Sequence, residues 1–230
     1  MKLQDGSSTR RKFLANSTAL IGAGVPILPA DSIQVPRSTF DVRAYGATGI
    51  RRDNATKAFR EAINACVASG GGTVSVPAGE YTVGTVQLFD HVSLYLESGA
   101  TLFASQQSAD YVKDSEALIF AENAKNISIT GKGTIDGLAR YDYDNVRGSD
   151  TEIAKEQEIA RLAGVEMKRY YRSPNAMNIF LFVLNDCTHV ELSGMSIINA
   201  PLWTVRLNDC DRVFVRDVYI YSDQIGRAHV

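Results

Sequence analysis

A short run of cationic and aromatic residues is the part of this sequence whose chemistry best suits ligand binding. Lys168, Arg169, Tyr170, Tyr171 and Arg172 follow one another directly. Guanidinium groups form paired hydrogen bonds with carboxylates, and aromatic rings offer flat apolar faces for stacking. Arg169 and Arg172 are therefore candidate binding residues for a ligand that carries carboxylates. A helix end whose cations complement the helix dipole is the alternative reading, and it stays open.

The acidic residues form no pair that sequence alone marks as catalytic. Asp136 precedes Gly137, which is typical of a turn, and we expect a structural role for it. Asp142 and Asp144 flank Tyr143 on a predicted loop, where we expect both carboxylates to be solvated. No catalytic residue is assigned within the chain.

The remaining reactive or aromatic side chains give no sign of a metal or cofactor. Cys66, Cys187 and Cys210 are too few for a disulfide scaffold and lack the close spacing of a zinc site. Trp203 lies in an alternating segment that predicts a strand, so packing in the core or wall is favoured over sugar stacking. We predict no metal site and no cofactor.

Composition limits the possible partners. The chain has 230 residues, of which 45% are hydrophobic and 22% charged, and its formal net charge is −2. This is an ordinary balance for one globular domain with a sizeable core. The absence of a basic excess argues against nucleic acid as a partner.

The middle of the chain repeats a strand-like pattern. Apolar and polar residues alternate in four segments, which predicts half-buried strands. These segments are Val92–Leu96, Ile127–Gly131, Val190–Gly194 and Val213–Asp217. The last two are preceded by the same four-residue sequence, at Leu184–Cys187 and again 23 residues later at Leu207–Cys210. Short strands at this period, with almost no helix between them, predict an all-β parallel β-helix.

The repeat places two cysteines at equivalent positions. Cys187 and Cys210 should occupy the same corner of adjacent coils, which stack about 4.8 Å apart. That spacing is within disulfide reach, but side chains that point in parallel favour a free buried pair of thiols over a bridge.

Two segments have helical rather than strand periodicity. Asn54–Ala68 has apolar residues at helical spacing, and we predict a helix that caps the N-terminal end of the solenoid. Thr151–Tyr170 is charged and begins with capping-box spacing at Ser149–Glu152, which predicts a helical insertion between coils. Long insertions on a solenoid commonly form the walls of a binding face.

The N-terminal residues resemble an export signal. Arg10 and Arg11 precede an apolar stretch from Thr18 to Leu28, which predicts a twin-arginine signal over residues 1–30. The stretch is too short and too interrupted by glycine and proline to span a bilayer. We therefore expect a periplasmic or secreted protein with no membrane partner once the signal is removed.

The C-terminal residues are interpreted as foreign to the domain. Residues 31–223 are predicted to form an incomplete β-helix domain. Ile225–Val230 is what one reading frame of a common sequencing adapter encodes, so we expect a non-native tail over residues 224–230. A genuine short C-terminus is the alternative.

Several blocks together resemble the polygalacturonase family of glycoside hydrolases. The blocks are Phe40–Ala47, Asn54–Phe59, Ala62–Cys66, Gly70–Tyr81, Leu96–Leu102, Gly133–Gly137 and Ile198–Trp203. The blocks up to Tyr81 are shared with other pectin-degrading β-helix families, and the last three favour the hydrolases.

The resemblance implies a right-handed parallel β-helix and inverting hydrolysis of galacturonan-type pectin. Inversion requires two carboxyl groups about 6.5–9.5 Å apart, one acting as acid and one activating water. The family's aspartate, Gly-His-Gly and Arg-Ile-Lys motifs are absent here and would be expected beyond Asp223. We therefore expect the 230-residue chain itself to be inactive, and the full-length protein to be a monomer.

Two other functions are compatible with the same coils. A pectate-lyase-type β-helix would use calcium and an arginine base. A noncatalytic β-helix for adhesion or carbohydrate binding would have no clustered carboxylates beyond Asp223.

Overall fold

The computed structural model describes residues 38–113, 115–139, 143–144, 158–164, 171–172 and 179–222. The predicted export signal (1–30) and tail (224–230) lie outside these ranges, so both remain predictions. So does most of the predicted insertion helix, of which residues 158–162 are described and are helical.

Within those ranges the chain is built mainly from short strands. In chain order they are β1 (Thr39–Asp41), β2 (Gly72–Val76), β3 (Gly79–Val83), β4 (Val86–Leu88), β5 (Val92–Leu96), β6 (Ala100–Ala104), β7 (Ala117–Glu122), β8 (Lys125–Gly131), β9 (Thr134–Asp136), β10 (Tyr143–Asp144), β11 (Tyr171–Arg172), β12 (Phe180–Asn185), β13 (Thr188–Ser193), β14 (Ser196–Ile198), β15 (Val205–Asn208), β16 (Asp211–Arg216) and β17 (Tyr219–Tyr221). The α-helix α1 spans Thr56–Ala68, and short 3-10 helices span Val42–Tyr45 and Ser108–Asp110.

The strands form parallel sheets that stack coil on coil. Sheet A has the order β1-β2-β5-β8-β13-β16, sheet B the order β3-β6-β9-β14-β17, and sheet C the order β4-β7-β12-β15. Each coil contributes one strand to sheets C, A and B in turn, as β12, β13 and β14 do. The predicted parallel β-helix is therefore confirmed.

Inward side chains stack in columns along the axis of the solenoid. In sheet A, Leu94, Ile129 and Leu192 are in register and fully buried. Their common position follows from the alternation of side chains along a strand, which places every second residue on the inner face. Burial of each such leucine or isoleucine contributes about 1.5–3 kcal/mol.

The N-terminal end of the solenoid is covered by α1, which begins two residues later than the predicted Asn54. The carbonyl oxygen of the Asn54 side chain accepts a hydrogen bond from the backbone N–H of Thr56 at 2.9 Å. Phe59, Ala62 and Ile63 are buried on one face of the helix, and α1 packs against β1 to β5. The predicted capping helix is confirmed.

Tight corners explain two of the glycines. A Cβ atom at Gly131 would lie 2.0 Å from the carbonyl oxygen of Leu96, and the φ angle of Gly131 is 120°. A Cβ atom at Gly194, one coil later, would lie 2.5 Å from the carbonyl oxygen of Gly131. Only glycine lets these successive backbones approach so closely.

The last described coil is much less covered than the one before it. Leu207 and Val215 are 39% and 52% exposed, whereas Leu184 and Leu192, their in-register neighbours, are fully buried. These positions point inward in the preceding coil, so the exposed side chains lie on the stacking face of the solenoid. Packing against one neighbour rather than two leaves that face partly open.

Candidate functional site

The start of β12 and the segment around β15 in sheet C bring together a cation and two aromatic rings. The register pairs Phe182 with Val205 and Val183 with Arg206, so β12 and β15 are offset by one repeat of the sequence. Extending this register places Phe180 beside Trp203. Their ring centroids lie 5.9 Å apart in an edge-to-face arrangement at 69°, which is a favourable geometry for aromatic pairs.

Arg206 lies against both rings. Its guanidinium carbon is 5.5 Å from the centroid of Phe180 and 6.0 Å from that of Trp203, within the range of cation–π attraction. Its Nε donates a hydrogen bond to the Oδ1 of Asn208 at 3.3 Å. The half-buried side chain of Arg206 forms no ion pair within the described part of the chain.

A hydrogen bond between two stacked asparagines holds Asn208 in place beside Arg206. The Nδ2 of Asn208 donates to the Oδ1 of Asn185 at 2.6 Å, and the backbones of the two residues are in register. Stacked side-chain amides satisfy one another in this way because equivalent atoms repeat at the spacing of the strands. The Oδ1 of Asn208 is thereby left to face Arg206. We call Phe180, Trp203, Arg206 and Asn208 the Arg206 cluster.

The residues singled out from sequence are not part of this cluster. Arg169 and Asp142 lie outside the described residues. The backbone of Arg172 pairs with that of Tyr143 in the antiparallel ladder of β10 and β11, and a binding role for Arg169 and Arg172 remains a prediction.

Two sequence interpretations can be judged directly. The structural role of Asp136 is confirmed: it is 3% exposed, and its Oδ1 accepts hydrogen bonds from the backbone of Leu138 and the side chain of Asn199, both at 2.9 Å. The strand position predicted for Trp203 is wrong, because Trp203 precedes β15. Its ring packs edge-to-face against Phe180, but it is 60% exposed rather than enclosed in the core.

The predicted equivalent positions and free state of the two cysteines are confirmed, whereas the predicted burial holds for Cys187 and not for the half-buried Cys210. Cys187 and Cys210 are both free thiols, and the paired backbones on either side place them at equivalent positions of adjacent coils. Burial, as the first cause, raises the pKa of the Cys187 thiol, which keeps it protonated and unreactive.

A shallow groove at the other end of sheet C has a different character. It has a volume of about 410 Å³ and is lined by Val67, Gly70, Phe89, Asp90, His91, Glu122 and Ala124. The carboxylate of Asp90 accepts a hydrogen bond from the backbone of Lys125 at 2.7 Å, and Nδ1 of His91 lies 3.3 Å from the amide of Asn126. Its polar groups thus bond locally, and it offers two carboxylates rather than a guanidinium.

Neither metal ligation nor membrane insertion finds support in the described ranges. No three His, Cys, Asp or Glu side chains there are grouped so that they could hold a metal ion. None of the helices described has the length and apolar character needed to cross a bilayer.

The stacked parallel sheets that carry the Arg206 cluster define a class of protein, the β-solenoid. The sequence matches the family described as "Glycosyl hydrolases family 28" over residues 66–226. The chain therefore belongs to that family.

Individual relatives agree with this assignment. The chain is 24% identical over 188 residues to an exopolygalacturonase of Zea mays, covering 80% of this chain and 40% of the relative. It is 27% identical over 233 residues to an endo-polygalacturonase of Pectobacterium parmentieri, covering 92% and 52%. The structure of a hyperthermoactive exopolygalacturonase from Thermotoga maritima aligns with a TM-score of 0.64 and 22% identity, covering 84% of this chain and 48% of that one. The chain thus spans about two fifths of the length of the first curated relatives it matches.

Phe180 and Arg206 are the site residues that sequence reasoning missed. The signal was present, since Phe180 and Trp203 are separated by the same 23 residues as Asn185 and Asn208. Extending the repeat toward the N-terminus by a few residues would have aligned the two aromatic rings.

Proposed function

We propose that this chain is part of a polygalacturonase-like hydrolase that cleaves galacturonan in pectin with inversion of configuration. The observation that carries the proposal is the family match over residues 66–226. Relatives named as both exo- and endo-acting polygalacturonases match the chain, so the proposal covers the polymer and the reaction and leaves the cleavage pattern open.

The physical features of the chain fit an acidic polymer. A galacturonan carries one carboxylate on each ring, and the Arg206 cluster presents a guanidinium without an ion-pair partner among the described residues, beside an exposed indole. Coils about 4.8 Å apart also repeat along the axis of the solenoid, so sheet C offers an extended surface along which a polymer chain can lie.

The proposal includes the cellular setting. The twin-arginine pattern at Arg10 and Arg11 supports export to the periplasm or beyond, which is where plant-type polysaccharide would be met. We further propose that the full-length protein acts as a monomer, and that Arg169 and Arg172 contribute to binding the polymer.

The test begins with the complete reading frame that contains this chain. Its purified product is incubated with polygalacturonate and, as a control, with neutral galactan. We expect reducing ends to be released from the acidic polymer and not from galactan. NMR of the products should show inverted configuration at the anomeric carbon. Calcium-dependent formation of unsaturated products would refute hydrolysis and indicate a lyase. Binding of the polymer without any cleavage would indicate a noncatalytic binding protein.

A further inference from the structure

We propose that the Arg206 cluster is a subsite that recognises the carboxylate of a single uronic acid residue, with Arg206 as its specificity-determining residue. This inference rests on the proposed function, because an acidic sugar polymer is the ligand that it assumes. It goes further by naming the residues that distinguish an acidic sugar from a neutral one.

The hydrogen-bonding groups of Arg206 are only partly used. Its Nε donates to Asn208, and neither Nη nitrogen has a hydrogen-bond partner among the described residues. A carboxylate accepts two parallel hydrogen bonds from the fork of a guanidinium. A half-buried guanidinium that lacks a neutralising carboxylate is a favourable place for one, because partial removal from water strengthens the attraction.

The position of Arg206 is fixed by its neighbours. Asn208 is held by Asn185 through the bond of 2.6 Å, and the rings of Phe180 and Trp203 lie along the guanidinium. Less side-chain freedom then remains to be lost when a ligand binds. The cluster is therefore preorganised for an anion rather than a solvated surface charge.

Trp203 supplies the second half of the recognition. Its indole lies beside the guanidinium of Arg206, whose carbon is 6.0 Å from the centroid of the ring. A uronic acid ring presents an apolar face and a carboxylate within one residue. A neutral hexose presents only the face, so Trp203 should bind both sugars and Arg206 should bind only the acidic one.

The charges along sheet C limit the subsite to the end near β15. Glu122 is in register with Asn185, which is in register with Asn208, so Glu122 lies two coils, or about 10 Å, from the Asn208 position. Glu122 is exposed. Its negative charge disfavours a second carboxylate on that side, which predicts one uronate position at Arg206 rather than a continuous row.

The test compares acidic and neutral ligands on the 230-residue chain. Trigalacturonate, its methyl ester and a neutral galactotriose are titrated by calorimetry into the unchanged protein, Arg206→Gln and Trp203→Ala. Arg212→Gln is the matched charge control, since Arg212 is exposed and paired with Asp211 on sheet A. Phe214→Ala is the matched aromatic control, because Phe214 is 62% exposed on the same sheet. Circular dichroism establishes that each variant is folded.

We expect Arg206→Gln to weaken binding of trigalacturonate by about tenfold or more and to leave binding of the ester unchanged. Trp203→Ala should weaken binding of both. Arg206→Lys keeps the positive charge but loses the forked guanidinium, so its affinity for trigalacturonate should lie between those of the unchanged protein and Arg206→Gln. It replaces Arg206→Gln in the test if the glutamine variant is unfolded.

Three results would overturn the inference: equal losses for Arg206→Gln and Arg212→Gln, an equal loss for acid and ester, or no binding by the unchanged chain. The proposed function is tested separately by hydrolysis. A protein that binds uronate through Arg206 without cleaving it would keep this inference and refute the hydrolase.

Discussion

Leu184 and Leu207 occupy the same position in adjacent coils of sheet C, yet they differ in how well they are covered. Their backbones are in register, and their exposed fractions are 0% and 39%. The chemical change in Leu184→Ala and Leu207→Ala is identical, so any difference in stability between the variants reports the packing of the two coils. This makes the pair a direct measure of how far the last described coil depends on one neighbour.

The expected magnitudes follow from burial. A fully enclosed leucine loses about 2–5 kcal/mol of unfolding free energy on truncation to alanine, because a cavity remains. Leu207 has neighbours on one side and exposed surface on the other, so solvent can fill the space. We expect Leu207→Ala to lower the unfolding free energy by about 1–2 kcal/mol, which is the free energy of burying a leucine scaled by the fraction of Leu207 that is buried.

Urea denaturation of the 230-residue chain, followed by circular dichroism, gives both values if the slope of the transition is unchanged. Stacked coils can open locally, so amide hydrogen exchange should accompany it. Leu207→Ala should raise exchange in β15 to β17 alone. Equal costs for the two variants, with full protection of β15 to β17, would refute the reasoning and indicate that this coil is covered in solution.

Three further outcomes can be measured on the same chain. Asp136→Ala should lower the unfolding free energy by about 1–3 kcal/mol, because it leaves buried donors without an acceptor, whereas Asp136→Asn, which keeps one acceptor, should cost less; equal losses in urea denaturation would contradict this. The hydrogen bond from Arg216 lowers the pKa of Glu191, so the stability that the pair adds is present at neutral pH and is lost as the pH falls through that lowered pKa. The pair is exposed, so the loss should be small, and Glu191→Gln should remove this part of the pH dependence; an unchanged profile would exclude the pair as its source. Iodoacetamide should label Cys210 before Cys187, whose thiol is buried and has a raised pKa; mass spectrometry that finds the reverse order would contradict the burial.

The coil architecture could be predicted because the repeat is written in the sequence. The four-residue sequence shared by Leu184–Cys187 and Leu207–Cys210 predicts how one coil aligns with the next. The observed register follows that alignment, since Asn185 lies beside Asn208. Alternation in Val190–Gly194 marked the inner face correctly, since Val190 and Leu192 are both buried. Local patterns suffice for such features because each coil repeats the contacts of the one before.

Trp203 shows where the same reasoning fails. Its alternation with Val205 and Leu207 predicted packing in the core or wall within a strand, but β15 begins only at Val205. The carbonyl oxygen of Trp203 accepts a hydrogen bond from the backbone N–H of Leu181 at 3.2 Å, but the regular register begins only at Val205. The contacts with Phe180 and Arg206, which alternation does not encode, show where the indole lies.

The Arg206 cluster could not be predicted from composition or local spacing. Arg206 is one of many arginines, and nothing beside it in sequence resembles the run at Arg169 and Arg172. Its surroundings come from the preceding coil, through Phe180 and Asn185. Such a site is visible only when residues one repeat apart are aligned and the outward positions are compared.

The strands β9 and β12 are separated by 43 residues of sequence, since β9 ends at Asp136 and β12 begins at Phe180, yet the coils before and after this connection stay aligned. Thr134 pairs with Ser196, and Lys125 with Thr188. The entropic cost of closing a connection between two elements grows slowly, by about 0.6 kcal/mol for each doubling of its length. This corner can therefore accept segments of very different size while the scaffold keeps its geometry, so a transplanted loop could alter ligand preference without redesign of the core.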